Sequence, residues 1–107
     1  PCLDAYPQEQ WLALEDRLRQ NAERSPRTIK YFQNVFLPGV QECQVDRQGR
    51  ILLANRLRES AELGHEVVFV GLVDKLRIWS VDNWNVVNKK SADLSEDPEV
   101  VSVLGFT

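Results

Sequence analysis

The amino-acid sequence predicts an α+β fold, in which a few short strands pack with amphipathic helices. Three observations lead to this prediction. Two amphipathic helical patterns follow one another within the first 39 residues, a β-hairpin pattern begins at residue 40, and a strand-to-helix segment occurs twice along the chain. Helices are therefore expected to dominate the first third of the chain, and strands to be concentrated in its middle.

The first third of the chain carries two helical patterns. Residues 2–5 are typical of a strand end, and Pro7 is favoured at the first position of a helix. Ser25-Pro26 is a second helix start, and Pro38-Gly39 ends that helix. Apolar residues recur at spacings of three and four in both helices, namely Trp11, Leu14, Leu18 and Ala22 in the first and Ile29, Phe32 and Phe36 in the second. The two helices are therefore predicted to form a helical hairpin.

A β-hairpin is predicted over residues 40–53. Residues 41–45 alternate, with Cys43 and Val45 on one face, and residues 50–53 form the returning strand. Residues 46–49, with the sequence D-R-Q-G, are the turn between them. Aspartate caps its own turn backbone and glycine accepts a positive φ, so this sequence favours a tight turn.

A short helix and two strands are predicted to follow the hairpin. The helix runs from Asn55, as its cap, through Leu63, and Gly64 ends it. Residues 66–72 contain four consecutive apolar side chains, which predict a strand buried on both faces. Residues 75–79 then return as the next strand.

The last predicted helix is capped by Ser80 or Asp82 and carries Trp84, Val87 and Ser91 on one face. From Asp93 the chain becomes acidic. Residues 100–106 are apolar enough to dock on another surface, but the pattern does not indicate which one.

A nine-residue segment occurs twice, since residues 3–11 align with residues 76–84. Each copy is a strand end that runs into a helix. The aligned pairs are Leu3 with Leu76, Tyr6 with Trp79 and Trp11 with Trp84. The second copy is preceded by a hairpin, a short helix and a strand, whereas the first copy has no counterpart upstream. We therefore expect the chain to lack the first part of a two-copy protein.

The second copy, with the hairpin before it, resembles the swapped-hairpin unit of AbrB-type regulators, and the chain as a whole resembles the MraZ family. The motif D-x-x-G-R at residues 46–50 is followed by L-R-E at 57–59, V-V-F-V-G at 67–71 and K-L-R-I-W at 75–79. The opening residues 2–7, with Trp11 after them, are similar to the close of that family's first half. The resemblance extends to about residue 90.

This resemblance implies a swapped-hairpin β-barrel with flanking helices, made from two pseudo-symmetric repeats of which the first is incomplete here. It also implies a sequence-specific DNA-binding transcriptional regulator, a ring-like homo-oligomer that acts on promoter repeats of the division and cell-wall gene cluster. The expected parts are the end of the first repeat at 1–24, a connecting helix at 25–39, the second repeat at 40–92 and an acidic C-terminal tail at 93–107.

The chain departs from the family pattern at two places. Ala54 and Asn55 stand where the family often carries proline, which removes a rigid helix start. The D-x-x-x-R motif of the first half is absent, so half of the implied DNA-reading surface is absent as well.

Arg50 is the first candidate for DNA contact, and Asp46 faces it across the turn, close enough for a bidentate ion pair. The planar guanidinium group of arginine fits both a phosphate and the edge of a guanine. A pair that only holds the hairpin turn together is the alternative. Arg47, Arg56 and Arg58 are further candidates for phosphate contacts, which position a protein without reading sequence. For Arg56 and Arg58 the alternative is a solvated helix face.

The remaining aromatic and titratable residues favour structural roles. The three tryptophans are expected to pack in a core or at a subunit contact rather than to stack on bases. His65 is the only histidine, and neither metal-ligand spacing nor a phosphate-binding or nucleophile motif occurs. We therefore predict that the protein is not an enzyme and has no metal site, cofactor or small-molecule substrate.

The net charge of −3 and the isoelectric point near 5.1 weigh against a protein that coats DNA, because affinity for phosphate grows with the number of cations presented. Four arginines against two acids between residues 46 and 59 nevertheless leave a local basic patch. The alternative function is an oligomeric assembly or protein-interaction module of the same fold without DNA contact.

The sequence predicts a cytoplasmic protein without membrane contact, and the resemblance implies that it is associated with the nucleoid. No apolar run approaches the roughly 20 residues that span a bilayer, and no signal-peptide pattern is present. Cys2 and Cys43 belong to no CxxC motif or histidine cluster. They are therefore expected to be reduced thiols.

Overall fold

The computed structural model describes residues 1–105 and has short strands, helices and a long irregular segment at residues 40–54. The elements are, in chain order, β1 (Leu3–Ala5), α1 (Gln8–Gln20), α2 (Pro26–Tyr31), a π-helical turn (Phe32–Phe36), a 3-10 turn (Leu37–Gly39), α3 (Asn55–Ser60), β2 (Val67–Gly71), β3 (Leu76–Ser80), α4 (Val81–Ala92), a second 3-10 turn (Asp93–Glu96) and α5 (Pro98–Leu104). The predicted α+β class is confirmed.

The three strands form one antiparallel sheet in the order β1-β3-β2. On one side of β3, Leu3 pairs with Ile78 and Ala5 with Leu76. On its other side, β2 pairs along its whole length, from Val67 opposite Ser80 to Gly71 opposite Leu76. The start of the chain is thus held by a strand more than 70 residues away, so the sheet links the two copies of the repeat.

The repeated segment is a structural repeat as well as a sequence repeat. Asp4 aligns with Arg77 in the two copies, and Asp4 also faces Arg77 in the sheet. When equivalent positions of two antiparallel strands face each other, a local two-fold axis passes through that pair. The aromatic pair after each strand has nearly the same spacing, with ring centroids 6.2 Å apart for Tyr6–Trp11 and 6.3 Å apart for Trp79–Trp84.

The buried residues lie around β3. Within residues 1–105, only Ala61, Ile78, Trp79 and Ser80 are buried. β3 is the one strand there with a neighbour on both sides, and Trp84 of α4 lies against Trp79. Ser80 ends the strand and caps α4, since its hydroxyl oxygen accepts a hydrogen bond from the Asn83 N–H at 3.1 Å. Of the two predicted caps, Ser80 is therefore the one used.

The predicted helical hairpin is present, with an aromatic cluster between its arms. The ring of Trp11 lies 6.3 Å from that of Phe32 and 6.1 Å from that of Phe36, and the two phenylalanine rings are 5.4 Å apart. Pro7 occupies the cap position of α1 rather than its first turn. Ser25 precedes α2 as predicted, but its hydroxyl group bonds the Thr28 hydroxyl at 2.6 Å instead of a backbone N–H.

The two strands predicted at residues 41–45 and 50–53 are not formed, so this prediction is wrong. The turn between them does close, with the Asp46 N–H donating to the Arg50 carbonyl at 2.8 Å. Beyond the turn, Gln41 joins the two segments, since its side-chain amide donates to the Leu52 carbonyl and accepts from the Ala54 N–H, both at 2.9 Å. Within residues 1–105 no further strand lies beside these two segments. Because an isolated two-stranded hairpin is only marginally stable in water, they do not form a regular ladder.

The boundaries predicted for α3 are wrong at both ends. Ala54 occupies the cap position and Asn55 is the first helical residue, with its side-chain oxygen accepting from Arg58. The chain leaves the helix through Glu62, whose φ of 57° is the left-handed conformation that usually falls to glycine. Gly64 lies beyond this point and has no positive φ.

β2 is not buried on both faces as predicted, because Phe69 is exposed. Phe69 lies opposite Ile78 and therefore on the sheet face away from Trp79. Trp84 of α4 packs on the Trp79 side. Since α4 covers only one face, the apolar run of β2 is half-covered among the described residues.

The acidic segment predicted as a tail contains α5. Asp97 caps this helix by accepting from the backbone N–H groups of Glu99 and Val100, at 2.9 and 3.4 Å. Phe106, part of the predicted docking stretch, lies outside the described residues. No helix within residues 1–105 has the length and apolar character needed to cross a membrane.

Candidate nucleic-acid interface

The turn at residues 46–50 is built by one carboxylate. The Oδ1 atom of Asp46 accepts from the backbone N–H groups of Gln48 and Arg50, both at 2.9 Å. The Gly49 N–H donates to the Asp46 carbonyl at 3.0 Å, and Gly49 has a φ of 77°. The predicted use of aspartate and glycine in this turn is thereby confirmed, and the carboxylate sets the direction in which Arg50 leaves the backbone.

The side chain of Arg50 is held to the Asp46 carboxylate by a single contact. Its Nε atom lies 3.1 Å from Asp46 Oδ2, so the bidentate pair expected from the sequence is not formed. The Arg50 side chain is 71% exposed, and neither of its Nη atoms has a hydrogen-bond partner within the part of the chain that the structure describes. The salt bridge orients the guanidinium group and leaves its outer edge available.

Hydrogen bonds keep the Asp46 carboxylate charged. The backbone N–H of Arg50 has the largest effect and lowers the pKa of this carboxylate. Desolvation opposes it as the second-largest effect, and the Gln48 N–H and the Arg50 side chain add smaller contributions that lower the pKa. A charged Asp46 keeps its three hydrogen bonds at neutral pH. The turn is therefore preformed before any ligand arrives.

Arg47 adds a second arginine to the turn at residues 46–50, which we call the tip. It follows Asp46 in the turn and is exposed. Its side chain has no hydrogen-bond partner among residues 1–105. Asp46, Arg47 and Arg50 are thus brought together by five consecutive residues, as the sequence predicted, and two arginines at this tip can each meet an anion.

Arg56 and Arg58 are engaged in local contacts on α3. The two Nη atoms of Arg56 donate to the carbonyls of Gly39 and Val40, at 3.2 and 3.5 Å, and so tie α3 to the end of the helical hairpin. Arg58 donates to Asn55 and lines a depression of about 450 Å³ together with Glu59 and Glu62. Two carboxylates beside Arg58 reduce its attraction for phosphate, so these two arginines are weaker candidates than Arg47 and Arg50.

The charge of this region is opposite to that of the whole chain. Residues 46–58 contain four arginines and one aspartate, a net charge of +3, whereas the full chain carries −3. No group of three or more metal-ligating side chains occurs in residues 1–105. The segment is therefore suited to anion contact through arginine side chains.

A second charged cluster, which the sequence analysis missed, lies in the sheet. Asp4 bridges Lys75 at 3.1 Å and Arg77 at 3.0 Å, and the Lys75 amine lies 5.5 Å from the centre of the Tyr6 ring. The hydrogen bond to Asp4 is the main cause that raises the pKa of Lys75. The repeat alignment carries the signal that could have found it, since it superposes Asp4 on Arg77.

Comparisons with known proteins give one consistent result. The family model described as "MraZ protein, putative antitoxin-like" matches residues 36–101. The chain is 40% identical to the "Transcriptional regulator MraZ" of Heliobacterium modesticaldum over 96 residues, which is 90% of this chain and 66% of that protein. It is likewise 40% identical to that of Desulforamulus reducens, over 84% of this chain and 63% of the relative.

A third relative, the "Transcriptional regulator MraZ" of Pseudoalteromonas translucida, is 38% identical over 88% of this chain and 61% of that protein. The chain thus spans somewhat less than two thirds of the length of these relatives. No solved structure matches it.

Proposed function

The chain belongs to the MraZ family, and from this premise we propose that it is a sequence-specific DNA-binding transcriptional regulator. Its relatives are named transcriptional regulators and not enzymes. The family model covers the segment that carries the basic tip, residues 46–50. In this proposal the tip meets double-stranded DNA at promoter repeats of the division and cell-wall gene cluster, and the protein acts at the nucleoid.

The single observation that carries the proposal is the exposed guanidinium group of Arg50 on a turn that Asp46 preorganises. A group held in one direction by its Nε atom loses less conformational freedom on binding than a free side chain. Its Nη groups can donate two parallel hydrogen bonds to a guanine edge or to a phosphate. Arg47 adds a phosphate contact, and Asp46 acts as a positioning residue.

The full fold in this proposal is the swapped-hairpin barrel, in which residues 40–54 pair with a second hairpin unit. The exposed apolar side chains of this segment, Val40, Val45, Ile51 and Leu52, support such pairing. Residues 1–24 and 40–92 then act as parts of two repeats joined by residues 25–39. A ring-like homo-oligomer would present many tips to repeated DNA boxes, which compensates for the weak charge of each one.

The test is a binding titration of the unmodified chain with a labelled duplex from upstream of the division and cell-wall cluster, against a scrambled duplex of equal composition. Arg50→Ala is expected to weaken binding to the promoter duplex by about ten-fold or more, within the 1–3 kcal/mol of a bidentate base contact. Lys90→Ala, which removes one charge from the exposed surface of α4, is the matched control and should bind as the parent does.

The alternative function is a protein-interaction module of the same fold, and the net charge of −3 favours it. The salt dependence of DNA affinity distinguishes the two functions. DNA binding through several phosphates weakens steeply with salt, with a slope of about −0.9 per phosphate contact on a double-logarithmic plot. Arg47→Ala should make this slope shallower by about one unit. Equal binding of promoter and scrambled duplexes, or an unchanged affinity for Arg50→Ala, would overturn the proposed role.

A further inference from the structure

The C-terminal helix α5 presents an apolar face that the rest of the chain does not cover. Val103 is 78% exposed and Leu104 is 59% exposed. At about 100° per residue, Val100, Val101, Val103 and Leu104 lie on one side of the helix, and Pro98, Glu99 and Ser102 on the other. Among the described elements, α5 packs chiefly against the 3-10 turn just before it. An amphipathic helix with its apolar side in water needs a partner surface.

An open apolar groove lies between α1 and α2, at the other end of the chain. It measures about 470 Å³, and its apolar lining consists of Tyr6, Leu14, Leu18, Tyr31, Phe32 and Phe36. Arg17, Asn21, Ser25 and Thr28 form its polar rim. Grooves of this composition bind the apolar face of a short amphipathic helix.

The charges around the helix and around the groove are complementary. Residues 93–99, which lead into α5, contain four acids and no base, a net charge of −4. Residues 16–30, which form the end of α1, the segment between the helices and most of α2, contain five cations and two acids, a net charge of +3. Arg19 in this range is already paired with Asp16 at 3.2 Å. Opposite potentials steer two surfaces together and fix their orientation.

From this complementarity we propose that α5 of one chain docks in the α1–α2 groove of a second copy. Val103 and Leu104 enter the groove, and the acidic residues 93–99 lie beside the basic segment 16–30, whose Arg17 is on the groove rim. Within a single chain the groove is not lined by α5, and α5 is linked to α4 by only five residues that pack against it. Because helix and groove are different surfaces, each copy can bind the next, and such contacts close into a ring when the rotation permits.

This interface rests on the self-association part of the proposed function and is independent of the DNA-contact part. It can be tested by disulfide cross-linking in a chain whose Cys2 and Cys43 are replaced by serine. One batch carries Val103→Cys and a second carries Thr28→Cys at the groove rim. Mixing the two under mild oxidation should give a cross-linked dimer in more than about ten-fold excess over a mixture with Ser102→Cys, because docking raises the effective thiol concentration.

Ser102→Cys is the matched control, since it places the same thiol one residue away on the polar side of α5. Equal yields from the two mixtures would overturn the proposal. So would a disulfide that forms only within single chains when Val103→Cys and Thr28→Cys are combined, because the helix would then dock on its own groove.

Mass measurement by light scattering gives a second, independent readout. The double variant Val103→Asp/Leu104→Asp should shift the mass toward that of one chain, 12.3 kDa, while Ser102→Asp should keep the mass of the parent. A parent chain that is itself monomeric, or a double variant with the parent's mass, would overturn the proposal. If Arg50→Ala bound DNA as tightly as the parent while the double variant still showed its shift in mass, only the DNA-contact part of the proposed function would be overturned.

Discussion

Two aspartate–arginine pairs in this protein have the same chemistry and different surroundings. Asp46 and Arg50 are four residues apart on an exposed tip, and Asp4 and Arg77 are 73 residues apart in the sheet. The Asp46 side chain is 45% exposed and accepts two backbone hydrogen bonds, whereas Asp4 is 27% exposed and holds two cations. The first pair belongs to the tip, residues 46–50. We call the second pair, together with Lys75, the joint.

The difference lies in what each pair leaves available. At the tip the turn would exist without the salt bridge, because backbone N–H groups satisfy Asp46, and the guanidinium group of Arg50 is free to meet a ligand. At the joint both cations are bound by one carboxylate on the local two-fold axis between the repeats. A local pair therefore presents a charge, while a long-range pair uses its charges to hold the chain together.

The largest effect is expected when the joint is broken by Asp4→Ala. This change leaves Lys75 and Arg77 as neighbouring cations without an anion, and hydrogen bonds to charged groups contribute about 1.5–3 kcal/mol each when well shielded. With side chains that are partly exposed, we expect a loss of about 1.5 kcal/mol in the free energy of unfolding, measured by urea titration.

Asp16→Ala is the matched control for the joint. Asp16 pairs with Arg19 at 3.2 Å on the surface of α1, where both side chains are largely exposed. Such pairs contribute about 0–1 kcal/mol, so the control should unfold close to the parent. Equal losses for the two variants would show that the joint is no stronger than a surface pair.

A smaller effect on stability is expected from Gly49→Ala at the tip. Alanine at a φ of 77° costs about 1–2 kcal/mol in a rigid backbone. The surroundings offer space for the added Cβ atom, so strain is the only penalty, and the loop can relieve part of it by opening. We expect a loss of at most about 1 kcal/mol, together with weaker binding to the promoter duplex because Arg50 is no longer directed.

Gly39→Ala provides the comparison for that variant, since Gly39 has no positive φ and also has open space around it. It should retain the parent's stability and DNA affinity. If Gly49→Ala lost stability but bound DNA as the parent does, the preorganised turn would have no part in recognition.

The same contrast between local and long-range contacts explains how far the sequence could predict the structure. The turn at residues 46–49, a cap of α4 at Ser80 or Asp82 and the two strand-to-helix segments follow from local sequence and were predicted, with Ser80 the cap that is used. The strands at 41–45 and 50–53 depend on a partner that alternation alone does not supply. The Arg50 side chain makes a single contact because only Oδ2 of Asp46 is left for it, while Oδ1 accepts from two backbone N–H groups. No spacing rule predicts this division of the carboxylate.

The engagement of Arg56 and the joint itself were beyond sequence patterns for a similar reason. Arg56 bonds carbonyls 16 and 17 residues away, and an arginine on a helix gives no sign of such a partner. Asp4 and Arg77 become neighbours only through the antiparallel register of β1 and β3. The repeat alignment contained that register, but only once a two-fold relation between the copies was assumed.

At alkaline pH the joint is expected to weaken before the tip. The hydrogen bond to Asp4 raises the pKa of Lys75 above 10.5 in the folded protein. The contribution of Lys75 to stability is therefore fully present below pH 10.5 and is lost as the pH rises through the higher folded-state value. Urea titrations across this range should show a decrease that Lys75→Met, which cannot titrate, does not show.

At acidic pH the smallest effect is expected, and it should be confined to the tip. The pKa of Asp46 is lowered from 3.8 in the folded protein, above all by the backbone N–H of Arg50. The charged carboxylate thus stabilises the turn fully above pH 3.8, and this contribution is lost as the pH falls through the lower folded-state value. The amide proton signals of Gln48 and Arg50 should shift together in that range. Because both N–H groups donate to the same Oδ1 atom, signals that shift at clearly different pH values would mean that the turn is not held by one carboxylate, and Asp46→Asn should abolish the step.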